Sequence, residues 1–260
     1  MTFNIRYDED ADGPHAWRHR RSGACQTITE HDPDLLGVQE PLPNQWDDLT
    51  AELPSLSRFQ AADVDDGEPV GGFFRTSRFE RRGGGQFWLS DTPRVPYSIS
   101  WPNDYGARLC SWTRLRDRLA QRELVFACTH FDTNVLSLLP SAKVLHVELD
   151  ALAADAPVII VGDFNCAAGS RAHHYLCDEA GYRDAWTEAG RTDEGIVTFN
   201  GFAADTDRPS GVVLEQGNCR IDWILIRGAL ACTSAEMDMR REAGMPPSDH
   251  YPVIATIAWT

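Results

Sequence analysis

The chain has 260 residues, 42% of them hydrophobic, and a formal net charge of -15 from 39 acidic against 24 basic residues. That is enough apolar material for one large domain with a substantial core. The negative balance argues against broad, charge-driven contact with nucleic acid, while leaving room for a local basic pocket. Seven cysteines follow no CxxC or metal-finger spacing. They read as buried free thiols in a reducing compartment, not as a disulfide framework. The first residues, MTFNIRYDED, have no basic or apolar leader character, and no apolar run approaches a membrane span. The expected location is the cytoplasm. Lys143 is the single lysine, a bias that a salt-rich cytosol and a GC-rich genome both produce.

In chain order, short runs rich in β-branched and aromatic residues predict strands. They are MTFNIRY (1–7), DLLGVQE (34–40), GGFFRT (71–76), GQFWLS (85–90), SWTRLRD (111–117), ELVFACTHF (123–131), PVIIVGDF (157–164), RIDWILIRG (220–228) and YPVIATIAW (251–259). Helical periodicity appears around 18–31, around 43–53, over 141–154 and over 170–181, the last with Ser170 as a start cap and Gly181 as a stop. RRGGGQ (81–86) reads as a turn, not a phosphate loop, because its glycines do not sit between a strand and a helix. Many strands with a few long helices between them fit two packed sheets covered outside by helices. No repeat or long linker divides the chain, so residues 1–260 read as a single domain.

Polar residues recur at the ends of these apolar strands. Asn4 lies in the first, Glu40 ends LLGVQE, His130 ends LVFACTH, and Asp163 and Asn165 stand at the mouth of VIIVGDFN. Asp222 lies in RIDWILI, and Asp249 and His250 precede the last strand. Any one of these is bland by itself: DFN alone is an Asx-rich strand stop. Together they are costly to bury unless paired or bound to metal, which points to convergence on one acidic, histidine-containing cleft.

TFNIR, LLGVQE, THFD, VGDFN, RIDWIL and SDHYPV, in this order over residues 1 to 259, resemble the endonuclease/exonuclease/phosphatase (DNase I-like) superfamily. FNIRYDEDADGPHAW, FWLSDTP and RLCSW further resemble a prokaryotic subgroup near its deadenylase-like branch. The resemblance implies a four-layer α/β/β/α sandwich (class α/β, or α+β) of two mostly antiparallel sheets flanked by helices. It implies Mg2+ or Mn2+ on Glu40, with Asn4 and Asp249 helping directly or through water. His250 would act on the nucleophilic water, with Asp222 holding its tautomer. Asp163 and Asn165 would position water and a phosphate oxygen, His130 would donate to the phosphate, and Arg108 would grip it unless engaged in a surface salt bridge.

The subgroup's usual THFDH is here THFDT, with Thr133 for the second histidine and Leu138, Leu139 and Pro140 where arginine is common. Its usual GEY is Gly67, Glu68, Pro69. These departures bear on substrate identity more than on hydrolysis. Two other signals are weaker. HAWRHRR (15–21) is expected to be a solvated helix start whose Trp17 packs inward, and His173, His174 and Cys177 are expected to be ordinary helix residues and not a soft-metal site. GxSxG is absent.

The expected activity is metal-dependent hydrolysis of a P–O bond in a phosphodiester or phosphomonoester: a nucleotide, short oligonucleotide or sugar phosphate. The expected partners are small phosphorylated substrates or short single-stranded nucleic acid, with no membrane and no obligate protein partner. A DNA or RNA nuclease and a catalytically inactive binding module of the same fold are the alternatives.

Overall fold

The β-branched and aromatic runs settle as strands, and their apolar faces decide how those strands stack. The computed structural model describes residues 1–60, 69–202, 219–242 and 244–260. In chain order the elements are β1 (Thr2–Asn4), α1 (Trp17–His31), β2 (Leu35–Gln39), α2 (Pro43–Glu52), β3 (Leu56–Gln60) and β4 (Val70–Arg75). Next come β5 (Phe79–Trp88), β6 (Leu109–Asp117), β7 (Arg122–His130), α3 (Val135–Ala153) and β8 (Val158–Asp163). The last are α4 (Arg171–His174), running into a π turn at Tyr175–Glu179, then β9 (Arg183–Asp184), α5 (Ala185–Glu188), β10 (Asp222–Arg227), β11 (Leu230–Met237) and β12 (Val253–Trp259).

Two six-stranded sheets result, ordered β11-β12-β1-β2-β4-β3 and β5-β6-β7-β8-β10-β9. Each contains one parallel pair, β1 with β2 and β7 with β8; the rest of each sheet is antiparallel. Phe59, Phe74, Phe126, Cys128, Ile159, Val161 and Ile224 fill the space between the sheets. On the outer face of the first sheet, Phe3, Leu36, Val38 and Phe73 bury against Trp17 and Ile28 of α1 and Trp46 and Leu49 of α2. On the outer face of the second, Val125, Ile160 and Trp223 bury against Leu138, Leu145 and Leu149 of α3. The layers are therefore helix, sheet, sheet, helix, as expected.

Strand β8 is buried at every position, which explains VIIV: Ile159 and Val161 face the other sheet while Val158 and Ile160 face α3. Gly37 lets β2 come close to that strand. A Cβ there would lie 2.1 Å from Val161 Cγ2 and 3.1 Å from Cys128 Sγ. All seven cysteines are free. Among the described residues no helix is long and apolar enough to cross a membrane.

Several boundaries differ from the sequence expectations. RRGGGQ is not a turn. It lies inside β5, where Gly83, Gly84 and Gly85 pair with Arg114, Thr113 and Trp112 after a bulge between Arg81 and Gly83. A bulge absorbs the irregularity that the glycines announce. Helix α3 starts at Val135, because Asn134 caps it by accepting the Leu136 N–H at 3.1 Å; Pro140 stands inside the helix, in its second turn, where it gives the Leu136 carbonyl no i+4 N–H donor. The first strand stops at Asn4. Strands β3, β9 and β11 carry weak apolar alternation and were not expected.

Candidate active site

Topology brings the strand-end residues to one rim. Parallel β1 and β2 end together, and β12, antiparallel to β1, begins beside them. Parallel β7 and β8 end with His130 opposite Asp163, and antiparallel β10 begins with Asp222 opposite Asp163. Arg108 immediately precedes β6, which runs antiparallel to β7 and so starts at the same end.

The side chains there form one connected network. Asn4 Nδ2 donates to Glu40 Oε1 at 2.8 Å and to Asp163 Oδ2 at 3.1 Å, bridging the two sheets. The Asn4 amide is oriented by Arg6 N–H, which donates to Asn4 Oδ1 at 3.0 Å. Tyr7 N–H donates to Glu40 Oε2 at 3.2 Å, and Glu40 N–H donates to Pro69 O at 3.2 Å. His250 Nδ1 stands 2.9 Å from Asp222 Oδ2, the hydrogen-bond reach required by a base-and-orienter pair, and its Nε2 stands 3.5 Å from Asp163 Oδ2. His130 Nε2 lies 3.3 Å from the same Asp163 oxygen. Asn165 N–H donates to Asp163 Oδ1 at 2.9 Å, while its Nδ2 lies 2.9 Å from His130 Nε2 and donates to Phe131 O at 2.8 Å. Asp249 lies beside Ser248 Oγ at 3.2 Å and 4.0 Å from Arg6 Nε.

Asn165 does not share the Asp163 face, as residue i+2 of an extended strand would. Its backbone is left-handed, φ 50°, a conformation asparagine tolerates. The strand has already ended, so the side chain turns toward His130.

The electrostatics follow from burial among like and unlike charges. Burial opposes ionisation of Asp163, but His130, His250 and the Asn165 N–H hold its carboxyl well below the usual range. Burial would lower His250, yet Asp222 and Asp163 push it up to about 10. The two carboxylates therefore favour the protonated ring over the neutral one. Burial raises Asp222. Burial, with Glu40 nearby, raises Asp249 to about 6. This crowding of negative charge is relieved by a cation, so the oxygen-rich set fits a hard divalent ion. Among the described residues, Asp163, Asp222 and His250 each offer one possible ligand atom, and these atoms lie mutually within 4.8 Å. This trio includes none of Glu40, Asn4 and Asp249, and its Asp222 and His250 are already paired.

Arg108 is buried, with Nε 3.5 Å from Asp132 Oδ2. Its partner is thus a buried carboxylate and not a surface one. Burial lowers its pKa while Asp132, Glu40 and Asp163 oppose that shift, so it faces the acidic cleft. Asp132 is the acid of THFD, and the sequence alone gives it no role. It accepts N–H groups from Asp104 at 2.8 Å, Tyr105 at 3.0 Å and Asn134 at 2.9 Å, fixing the wall beside Arg108. Thr133 and Asn134 donate to Asp104 at 3.2 and 3.0 Å, filling the place of the subgroup's second histidine with an acid-bound turn. Ser248 Oγ donates to Asn4 O at 2.7 Å, and Thr198 Oγ1 accepts the Ile221 and Asp222 N–H groups; Ser248 opens the SDHYPV motif without a role of its own there, and Thr198 lies in none of the motifs. Gly67 and Glu68 lie outside the described residues.

The remaining motifs behave as helix residues. Trp17 packs inward and donates to Asp48 Oδ2 at 2.8 Å. His174 Nδ1 pairs with Asp178 at 2.8 Å, while Cys177 Sγ lies 3.7 Å from His173 Nε2.

The Endonuclease/Exonuclease/phosphatase family model matches residues 1–250. A solved endonuclease/exonuclease/phosphatase from Bacteroides vulgatus is 27% identical with a TM-score of 0.87, covering 100% of this chain and 97% of that one. A mannosyl-6-phosphatase from Bacteroides thetaiotaomicron is 25% identical with a TM-score of 0.86, covering 99% and 98%. TDP2 of D. rerio, solved with a single-strand DNA product, shares the fold at 21% identity and a TM-score of 0.74, covering 99% and 97%. No curated protein matches the chain.

Proposed function

The chain belongs to the endonuclease/exonuclease/phosphatase family, whose members hydrolyse phosphoesters, and on that footing we propose that it cleaves the P–O bond of a small phosphorylated molecule, with sugar phosphates and nucleotides first. The observation that carries this reading is His250 held between Asp222 at 2.9 Å and Asp163 at 3.5 Å, with Asn4 tying Asp163 to Glu40. Residues 1–260 act as one catalytic domain.

Glu40 is the principal holder of Mg2+ or Mn2+, with Asp249 contributing and Asn4 fixing the Glu40 and Asp163 carboxylates. When bound, the ion supplies positive charge that offsets the phosphoryl oxygens and opposes the carboxylates retaining the His250 proton. Asp163 orients the attacking water and His250 Nε2 takes its proton, while Asp222 keeps the Nδ1–H in place. Asn165, His130 and Arg108 hold the phosphate oxygens, the guanidinium through paired donors.

Sugar phosphates lead because the mannosyl-6-phosphatase likeness spans both chains. The net charge of -15 disfavours long polyanions, and the TDP2 likeness supports the fold alone, so nuclease action on short single strands ranks second. The test is turnover of sugar phosphates, nucleotides, oligonucleotides and bis-p-nitrophenyl phosphate with Mg2+ or Mn2+, wild type against His250→Ala. Metal-stimulated turnover lost in the variant supports the reading; turnover that survives the substitution defeats it.

A further inference from the structure

Outside the residues assigned above, one buried cation touches both segments that build the cation-holding half of the site. We propose that Arg20 is a positioning residue whose guanidinium fixes Asn4, Glu40 and Asp249 for divalent-ion binding; this rests on the reading just given.

Arg20 lies in α1 and is 2% exposed. Its Nε donates to His15 O at 2.8 Å. Nη1 donates to Ile5 O and, at 3.4 Å, to Pro247 O. Nη2 donates to Arg6 O at 2.6 Å and Tyr7 O at 3.3 Å. All of these acceptors are backbone carbonyls, so the group is spent on chain geometry and not on a carboxylate. Its Cζ also lies 5.1 Å from the Trp17 ring and 5.7 Å from the Phe202 ring, which pins the head from two sides.

The carbonyls it gathers are informative. Residues 5–7 form the turn after β1, with Arg6 left-handed at φ 54°. From that turn Arg6 N–H reaches Asn4 Oδ1 at 3.0 Å and Tyr7 N–H reaches Glu40 Oε2 at 3.2 Å. Pro247 precedes Ser248, whose hydroxyl returns to Asn4 O at 2.7 Å and which leads directly into Asp249 and His250. One planar fork therefore fastens the segment after β1 to the segment before β12. A lysine ammonium is a point donor and cannot reproduce that fork. His130, Asp163, Asn165 and Arg108 come from the second sheet and share no hydrogen bond with Arg20. Loss of the fork should therefore weaken ion binding and leave recognition of the phosphate ester alone.

The experiment compares wild type, Arg20→Lys and Arg20→Met by calorimetric titration with Mn2+, alongside KM and kcat for bis-p-nitrophenyl phosphate at saturating Mn2+. The expected result is Mn2+ affinity weakened about tenfold or more in both variants, with KM within about twofold of wild type. A purely structural role would lower the melting temperature without moving Mn2+ affinity in the folded protein. A folded variant with wild-type Mn2+ affinity overturns the proposal. If both variants unfold, amide exchange in the wild type decides. The Arg6 and Tyr7 amides should be protected to the level of the neighbouring strands, and loop-like exchange there overturns the proposal. A wild type that binds Mn2+ but cleaves no phosphoester defeats the functional reading and leaves the affinity comparison standing. A wild type without Mn2+ affinity overturns both.

Discussion

Replacing Asp222 by asparagine removes the charge behind His250 while keeping the side chain's size. Asp222 is buried at the first residue of β10, and its Oδ2 is the Nδ1 partner at 2.9 Å. A hydrogen bond to a charged group is worth roughly 1.5–3 kcal/mol, which at 1.36 kcal/mol per unit lowers the ring by about one to two pKa units. Burial pulls the wild-type ring down, yet Asp222 and Asp163 push it up to about 10. The stability it contributes is therefore complete below its unfolded value of about 6.5 and is lost as pH rises through the folded value. In metal-free Asp222→Asn the His250 titration should move down, and this alkaline loss of stability should start at lower pH. With metal, loss of oriented proton transfer should reduce kcat about 10²–10⁴-fold, equivalent to about 3–5 kcal/mol, at nearly unchanged Mn2+ affinity. Histidine-resolved NMR titration and steady-state kinetics read both effects. An unchanged kcat, or a His250 pKa that does not fall, refutes the pairing.

Glu40→Gln should abolish metal-stimulated turnover and Mn2+ binding while keeping the wild-type circular dichroism spectrum, since the side chain is half-buried at the rim; retained metal-dependent hydrolysis removes it from the ion site. Burial opposes ionisation of Asp184, but His173 and Arg220 hold it below its ordinary value, so its contribution is present above about pH 3.9 and disappears on further acidification. Asp184→Asn should cost about 3 kcal/mol at neutral pH, and the gap from wild type should close in acid; melting curves with a pH-independent gap contradict the ion pair with Arg220. Gly37→Ala puts a methyl 2.1 Å from Val161 Cγ2 and should cost about 1–3 kcal/mol, or about 2–4 °C of melting temperature per kcal/mol; an unchanged Tm would mean that the sheets separate freely at this point.

Much of this architecture was legible because the strands that carry the site are buried on both faces. VIIVGD has no polar position until Asp163, so the acid stands out. The same logic exposed Glu40, His130 and Asp222. It failed where the signal is local and conformational. GGG reads as a turn until β6 supplies a partner strand. Strand β9 has only Arg183 and Asp184 and owes its existence to β10. Arg20 sits in HAWRHRR, where sequence cannot separate the arginine that turns inward from its solvated neighbours; burial does.

The deeper limit concerns backbone conformation at the rim. Arg6, Glu40 and Asn165 adopt left-handed φ values of 54°, 65° and 50°; Glu40 directly follows β2, while Arg6 and Asn165 stand two residues past Asn4 and Asp163, the last residues of β1 and β8. For arginine and glutamate this region costs of order 1–3 kcal/mol, and no motif or periodicity announces it. What it gains is direction. At Arg6 it presents consecutive N–H groups to Asn4 and Glu40, at Asn165 an N–H to Asp163, and at Glu40 it turns the chain so that the N–H meets Pro69 while the carboxylate meets Asn4 and Tyr7. The strand ends select which residues reach the cleft, and the strained turns set the angle at which they arrive. A motif match carries the first kind of information, and only the folded backbone carries the second.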